Sequence, residues 1–248
     1  MKKKTLPLIV LLAGLFCSTA HAGFISTDWK NSGDKLATLH EETGTEWLDL
    51  TQTDGLSINY VMSQLGAGGL YEGWRLPTAN EVHAMMSSIL SDYSSYFRQN
   101  VYTTDHVYLS PTNGASAQVL NFWALFGRTQ IQFNDVGGAF GMYTDGGRTL
   151  LAGPQNGRNE GTGRDRIIYN YILPNTSYSH NAYGVFLVSD GGVSLSSKLD
   201  PSININNPNS PAAQTPDEPD VTPPVDVPAP AGFALLAGLM MMLRRKSS

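Results

Sequence analysis

The clearest apolar periodicity in the chain predicts a helix from Thr78 to Tyr93, because apolar side chains recur there at helical spacing. It opens with Thr78-Ala79-Asn80-Glu81, a capping box in which the threonine hydroxyl and the glutamate carboxylate each accept a backbone N–H. The residues that share its apolar face are Val82, Met85, Met86, Ile89 and Leu90. Two further helices are predicted at Ser57–Leu65 and Ala117–Phe126, each followed by a glycine that can end a helix.

Runs rich in β-branched and aromatic residues predict strands on both sides of these helices. The first two, Lys35–His40 and Glu46–Asp49, are joined across a short turn. The others are Trp74–Leu76, Thr129–Phe133, Ala139–Tyr143, Arg166–Ile172 and Tyr183–Ser189. The Gly-rich stretch Thr144–Arg164 predicts a long surface loop. This order indicates a single α+β domain with an antiparallel sheet and two or three helices.

The beginning of the chain follows a different pattern. Three lysines precede an apolar run from Leu6 to Phe16, and Ala20-His21-Ala22 provides a small-x-small cleavage site. We therefore expect a signal peptide over residues 1–22, export through the Sec machinery, removal by signal peptidase and a mature chain that begins at Gly23.

The end of the chain divides into two segments. Residues 201–226 are rich in Pro, Asn and Asp and contain no aromatic residue, which predicts an extended linker and places the folded domain at 23–200. Residues 227–248 start with Val227-Pro228-Ala229-Pro230, continue with an apolar run and finish with a basic stub that includes Arg244 and Arg245. The run is shorter than the roughly 20 residues of a comfortable membrane span. The basic stub favours the cytoplasmic side of a membrane.

Charge and cysteine content narrow the function classes. The chain has 16 Lys+Arg and 21 Asp+Glu, and six of the cations lie in the two terminal segments. Without those segments, 10 cations remain against 21 acids, a net charge of −11 that argues against a nucleic-acid partner. The single cysteine, Cys17, lies in the expected signal peptide. The mature chain therefore has no thiol nucleophile, thiolate metal ligand or disulfide.

Motifs for catalysis or metal binding are missing from the sequence. The histidines do not have zinc-site spacing, the Asp-Gly pairs fit turns better than calcium loops, and neither a nucleophile elbow nor a phosphate loop occurs. We therefore predict no catalytic residue, metal or cofactor. Aromatic side chains can stack on sugar rings while polar neighbours bond to hydroxyls. The candidate ligand surface on this basis is Tyr143, Asp145, Arg148, Asn156, Arg158 and Asn159.

The most distinctive internal motif is G-W-R-L-P-T-A-N-E-V at Gly73–Val82. We expect Trp74 and Leu76 to face the core and Arg75 to pair with an acid or to cap carbonyls. The motif resembles the signature of bacterial extracytoplasmic domains related to the C-type lectin fold, including the formylglycine-generating-enzyme-like group, and Ala182–Gly192 is similar to their closing strand. The resemblance implies a fold but no activity. The oxidase branch needs cysteines, and the sugar-binding calcium motifs E-P-N, Q-P-D and W-N-D do not occur in the domain.

The W-L-D-L-T sequence before this motif, together with the C-terminal tail, resembles PEP-CTERM proteins, with V-P-A-P in place of V-P-E-P. That resemblance implies processing by an exosortase-type transpeptidase and transient anchoring in the inner membrane of a Gram-negative bacterium. The final location would be the cell surface or the exopolysaccharide matrix. We expect a non-enzymatic glycan-binding or structural matrix module. The alternative is an extracytoplasmic hydrolase of polysaccharides, which a pair of carboxylates about 5–9 Å apart would favour.

Overall fold

The computed structural model describes residues 23–99, 101–103, 107–111, 117–131, 137–156 and 164–207. The strands are β1 Phe24–Thr27, β2 Ala37–His40, β3 Glu46–Leu48, β4 Val107–Pro111, β5 Gln130–Ile131, β6 Gly137–Gly138, β7 Gly141–Asp145, β8 Arg148–Gln155, β9 Arg164–Leu173, β10 Gly184–Val185 and β11 Val188–Ser189. The helices are α1 Ile58–Ser63, α2 Ala79–Ile89, α3 Ala117–Phe126 and α4 Leu195–Leu199. The predicted α+β class is confirmed.

The strands form two sheets. The first has the order β1-β2-β3-β11, and all of its neighbouring strands are antiparallel. The second is built around β8, which pairs with β6 and β7 and also with β9. Strand β4 adds to β9, and β10 adds to β7 in the one parallel pairing seen among the described strands. The expected antiparallel arrangement therefore holds for the other pairs.

Residues 184–189 connect the two sheets. The predicted strand Tyr183–Ser189 is divided in two, with β10 in the second sheet and β11 in the first. Phe186 donates its N–H to Met142 O of β7 over 3.0 Å, and Leu187 O accepts from Leu48 N of β3 over 3.1 Å. The chain thus passes from one sheet to the other within two residues, which fixes the sheets against each other.

The sheets are buried on both faces, and successive strand residues alternate between two cores. Trp47 and Phe186 pack into one core with the apolar faces of α2 and α3. Their neighbours Leu48 and Leu187 pack into the other core, which is covered by α1 and by loops that contribute Trp29, Tyr71 and Trp74. Strands of such a sheet are apolar on both sides, so their sequences lack the alternation of half-buried strands.

The predicted helices are observed with small changes at their ends. Helix α2 has the predicted capping box, in which Thr78 Oγ1 accepts from Glu81 N over 3.2 Å and Glu81 Oε2 accepts from Thr78 N over 2.7 Å. It ends at Ile89, and a 3-10 turn at Ser91–Tyr96 follows. Helix α3 has the predicted bounds. Trp74–Leu76 forms only a bridge, at Arg75 to Val188, because Pro77 has no N–H to continue a ladder.

The predicted surface loop Thr144–Arg164 is wrong in its first half, which contains β8. Gly146 and Gly147 have φ of +54° and +79°, the backbone of a two-residue hairpin turn between β7 and β8. After Arg148, every residue of β8 is buried. The glycines and polar residues that indicated a loop form the turn, and the short apolar run 149–152 forms the centre of the sheet.

The domain extends beyond its predicted end at residue 200. Residues 201–207 were expected in the linker, but Asn204 and Asn207 are buried and Asn207 Nδ2 donates to Ser197 O over 2.7 Å. The chain divides after Ala213 into a unit that contains all described residues and a second unit, Gln214–Ser248, that lies outside them.

The C-terminal segment 193–207, here called the strap, is fastened to the buried side chain of Glu46 on β3. Glu46 Oε2 accepts from Val193 N over 2.9 Å and from Ser194 N over 3.1 Å. Its other oxygen accepts from the side chains of Ser194, Ser197 and Asn204. A buried carboxylate is costly unless it is hydrogen-bonded, so the strap and this acid depend on each other.

The expected signal peptide, residues 1–22, lies outside the described residues, as do the remaining linker and the predicted sorting signal at 227–248. Among the helices that the structure describes, none combines the length and apolar character needed to cross a membrane.

Glu46→Gln should destabilise the domain. The amide replaces one oxygen with a group that donates, and it then faces N–H and O–H donors of the strap without a bond. We expect a loss of about 2–3 kcal/mol in the free energy of unfolding, measured by urea denaturation, with faster proteolysis within 193–207. Glu42→Gln, at an exposed position of the same hairpin, is the control and should change little. Equal stabilities of the two variants would contradict the role of Glu46.

Candidate functional site

The structure describes four of the six residues of the predicted ligand surface and brings two of them together. Asp145 and Arg148 face each other across the β7–β8 turn, and Tyr102 joins them. The Tyr102 hydroxyl donates to Asp145 Oδ2 over 2.6 Å, and the Arg148 guanidinium lies 4.4 Å from the centre of the Tyr102 ring. These three side chains contact one another, so two of the predicted ligand residues, Asp145 and Arg148, take part in a contact within the domain.

The other predicted residues lie elsewhere. Tyr143 is fully buried, its hydroxyl donates to Asn170 Oδ1, and burial raises the pKa of Tyr143 above its ordinary value. Asn156 is also buried, and it follows the far end of β8, about 25 Å from Arg148 along the strand. Tyr143 and Asn156 therefore cannot be part of an exposed ligand surface. Arg158 and Asn159 lie outside the described residues.

Asn170, which accepts the hydrogen bond of the Tyr143 hydroxyl, has an unusual backbone conformation. Its φ is +53°, a left-handed conformation that Asn tolerates better than most residues. Its side-chain N–H groups donate to Arg98 O and Val101 O, each over 3.0 Å, and so connect both residues to β9. Nothing in the sequence around Asn170 distinguishes it from a regular strand residue.

The motif at Gly73–Val82 brings two carboxylates to one arginine. Arg75 Nη2 lies 2.7 Å from Glu81 Oε1, Nη1 lies 3.0 Å from Glu81 Oε2, and the same guanidinium bonds to Asp190. The bonds from Arg75 hold the pKa of Glu81 at about 2, although partial burial opposes the shift. A general acid needs a raised pKa, so Glu81 does not have the electrostatics of a glycosidase acid. The bonds of Arg75 fasten α2 to the segment after β11.

Asp49 has a raised pKa because it is buried, while two bonds from Thr51 act in the opposite direction. It caps the 3-10 turn at Leu50–Gln52, and Gly127 is so close that a Cβ there would lie 2.3 Å from Asp49 Oδ1. A substrate cannot reach a carboxyl that is covered in this way.

An open groove of about 780 Å³ lies on another part of the surface, and we call it the Trp29 groove. Three segments line it: Trp29 and Lys30, residues within the Gly-rich turn 68–73, and residues within 192–198. A smaller cleft of about 190 Å³ shares Trp29, Lys30 and Leu70 with the groove. The sequence patterns assigned none of these residues to a ligand site, although Gly73 and Gly192 lie at the ends of two of its motifs.

The loop that carries Trp29 and Lys30 is held by two aspartates. Asp34 accepts the backbone N–H groups of Trp29 and Lys30, each over 2.9 Å, and of Asn31 and Leu36. Asp28 accepts from Gly33 N and Lys35 N. These backbone bonds lower the pKa of Asp28, and they lower that of Asp34 despite the opposing effect of its burial. The D-x-x-x-x-x-D spacing in a Gly/Asn/Ser-rich stretch was the signal that could have indicated this loop.

Trp29 is fixed from two sides. Its ring stacks on Tyr71 at 6.2 Å and meets Trp74 edge-on at 6.4 Å, both between ring centres. The Lys30 ammonium lies 3.8 Å from the centre of the Trp29 ring and 3.5 Å from Leu70 O. The wall of the groove at this point is therefore an indole covered by a cation.

Four of the eight other residues that line the groove are glycines. Gly68, Gly73 and Gly192 line the groove with φ of +76°, +85° and +80°, a conformation that disfavours side chains. Because these residues have no side chains, their peptide groups are accessible from the groove. Glu72, the acid of the lining, accepts from Gly68 N over 2.8 Å.

A second, more apolar cleft of about 260 Å³ lies between the β2–β3 hairpin and α2. Phe24 and His40 stack at 4.4 Å on one wall, and Trp47 and Met85 contribute apolar surface. Burial lowers the pKa of His40, while Glu41 and Glu42 act in the opposite direction. The imidazole bonds to Thr43 Oγ1 over 2.7 Å, so it already has a partner within the hairpin.

Within the ranges given above, the structure holds no group of three or more His, Cys, Asp or Glu side chains placed to bind a metal ion. Comparison with known families, curated proteins and solved structures gives no match to this chain. The likeness to C-type-lectin-related and PEP-CTERM proteins therefore stays a prediction from sequence motifs.

Glu81→Gln should lower stability at neutral pH and lose its effect in acid. The folded-state pKa of Glu81, about 2, lies below its ordinary 4.5, so the carboxylate stabilises the fold above about pH 4.5. That contribution disappears as the pH falls from about 4.5 towards 2. We expect a cost of about 1–2 kcal/mol at pH 7 in urea denaturation, because the change removes one exposed ion pair and half of the capping box.

Asp190→Asn is the control for this measurement. The Asp190 side chain is 78% exposed, so its loss should cost less than about 0.5 kcal/mol. A destabilisation by Glu81→Gln that persists unchanged at pH 2 would show that the carboxylate charge is not the cause.

Proposed function

We propose that this chain is an exported, non-enzymatic protein of the cell surface or exopolysaccharide matrix, and that its domain binds a polysaccharide in the Trp29 groove. The observation that carries the binding proposal is the Asp34 clamp. Four backbone bonds to one carboxylate hold Trp29 and Lys30 in place at the wall of an open groove. A wall that is already ordered loses little conformational entropy when a ligand binds.

The chemistry of the lining suits a hydroxylated polymer. Sugar units need hydrogen-bond donors and acceptors on both sides of the chain, and the glycine-lined walls expose peptide groups that offer both. The groove is open rather than enclosed, which favours an extended ligand over a small molecule. The more apolar cleft at Phe24 and His40 has a less suitable lining.

The hydrolase alternative receives less support from the described carboxyls. Glu81 and Asp190 share Arg75, and the pKa of Glu81 is lowered rather than raised. Asp49 has the raised pKa of an acid catalyst but is covered by Gly127. Within the Trp29 groove, Glu72 is the carboxylate of the lining, whereas glycoside hydrolysis ordinarily uses two.

Export and sorting belong to the same proposal and rest on the terminal segments. Strand β1 begins at Phe24, one residue after the expected signal-peptidase site, and Gly23 N lies 3.1 Å from Glu41 Oε2. An α-ammonium group created by cleavage would therefore meet a carboxylate. An exosortase-type transpeptidase would then act at Val227-Pro228-Ala229-Pro230, while Arg244 and Arg245 stay on the cytoplasmic side.

Gly68→Asn should weaken polysaccharide binding by about tenfold or more, because a side chain would enter the groove and displace ligand contacts. Gly68 has φ of +76° with no atom within 4 Å of an added Cβ, and Asn tolerates this conformation. Gly55→Asn is the matched control, since Gly55 has φ of +74°, equal space and no place in the groove. The measurement is binding to immobilised polysaccharides, including the matrix polysaccharide of the cells that make the protein. Equal binding by both variants would place the ligand elsewhere, and no binding by the unmodified protein would exclude the function.

The intact mass of the protein recovered from cells should correspond to a chain that starts at Gly23 and ends within Val227–Pro230, plus any group attached on transfer. The apolar segment and basic stub would then be absent. A mass that includes residues 231–248 would instead indicate a permanent tail anchor and would contradict exosortase processing.

A further inference from the structure

The lysines of the domain are concentrated at the Trp29 groove. Between the two expected processing sites the sequence has three lysines, Lys30, Lys35 and Lys198. Lys30 and Lys198 line the groove, and both are exposed. Lys35 lies outside the lining and pairs with Asp28 over 3.4 Å. This part of the sequence has a net charge of −11, so a groove that holds two of its 10 cations is a local exception.

The charges of the groove do not cancel. Its lining includes Lys30 and Lys198 against the single carboxylate of Glu72, which already accepts the N–H of Gly68. The nearby Asp28 and Asp34 direct their oxygens to backbone N–H groups of their own loop. Acids beyond about 8 Å are screened at physiological ionic strength, and among the side chains that line the groove an anion would meet two ammonium groups and one carboxylate.

The position of Lys30 also argues for an anionic ligand. A site for neutral sugars presents a bare aromatic face, on which the apolar face of the ring can stack. In the Trp29 groove the ammonium of Lys30 lies over the indole, and Trp29 is only 8% exposed. The surface that a ligand meets at this point is therefore a positioned cation supported by an aromatic ring.

We propose that the Trp29 groove selects an anionic polysaccharide, whose carboxylate or sulfate groups pair with Lys30 and Lys198 while its hydroxyls bond to the glycine-lined walls. This inference rests on the proposed function and adds the chemical class of the ligand. Carboxylate and sulfate share the negative charge and the oxygen acceptors that an ammonium group binds.

The test uses the purified protein and three polymers: polygalacturonate, which carries carboxylates, dextran sulfate and neutral dextran. We expect both anionic polymers to bind at least tenfold more tightly than dextran. Their affinity should fall as NaCl is raised from 50 to 300 mM, because the Debye length shortens over that range and screens the charges. The tighter of the two identifies the anionic group. The double variant Lys30→Gln, Lys198→Gln should lose about tenfold in affinity for the anionic polymers, roughly threefold for each lysine.

Lys35→Gln is the matched control, because it removes an exposed lysine outside the groove, and it should bind as the unmodified protein does. Circular dichroism of each variant verifies that the fold is retained. Equal affinity for dextran and the anionic polymers overturns the inference while leaving the proposed function intact. Anionic binding that the double variant retains in full also overturns it, because the charge would be recognised elsewhere. Binding of none of the three polymers, nor of the matrix polysaccharide of the producing cells, overturns the proposed function as well.

Discussion

The buried carboxylate of Glu46 is the interaction on which the arrangement of this domain depends. It lies in β3, at the centre of the first sheet, and its hydrogen-bond donors all come from residues 193–204. A charge at this depth would be unfavourable without those donors. The strap is held by these bonds together with backbone bonds from Leu195 N to Trp29 O and from Ser196 N to Asp28 O. The strap brings Lys198 to the Trp29 groove, and Gly192, the residue before the strap, also lines it. The buried acid therefore contributes both to where the chain closes and to what one wall of the groove contains.

Several charged residues of this domain make structural contacts within the chain. Arg75 joins Glu81 to Asp190, Arg148 covers Tyr102 beside Asp145, and Asp28 and Asp34 order the loop before β2. Each of these groups already has its partners within the chain, which removes them as candidates for acid–base chemistry. Lys30 and Lys198 differ in that both are exposed at a concave surface, where Lys30 contacts the Trp29 ring and Leu70 O. This exposure at a groove is the basis of the proposal that the domain binds a ligand there.

Local sequence patterns predicted the secondary-structure elements that are stabilised by neighbouring residues. The capping box of α2 and the bounds of α3 follow from residues within one or two turns, and the β2–β3 hairpin follows from two runs around a turn. The sequence pattern gave wrong predictions for segments that are buried by residues far away in the chain. Strand β8 is apolar on both faces because α2, α3 and α1 cover the sheet from two sides, so its short run beside two glycines resembled a loop. Tyr143 and Asn156 were assigned to the surface for the same reason.

By itself the sequence determined the α+β class, the capped helices, the cysteine-free and acidic character of the domain, and the distinct composition of its two ends. These properties depend on composition and on neighbours within a few residues. Only the tertiary structure decided that the strap belongs to the domain, that Arg75 connects a helix to the segment after β11, and that Trp29, Gly68 and Lys198 share one groove. Those pairs are separated by tens to more than a hundred residues. Their proximity results from which faces the sheets bury, and it cannot be inferred from the spacing of residues within any one segment.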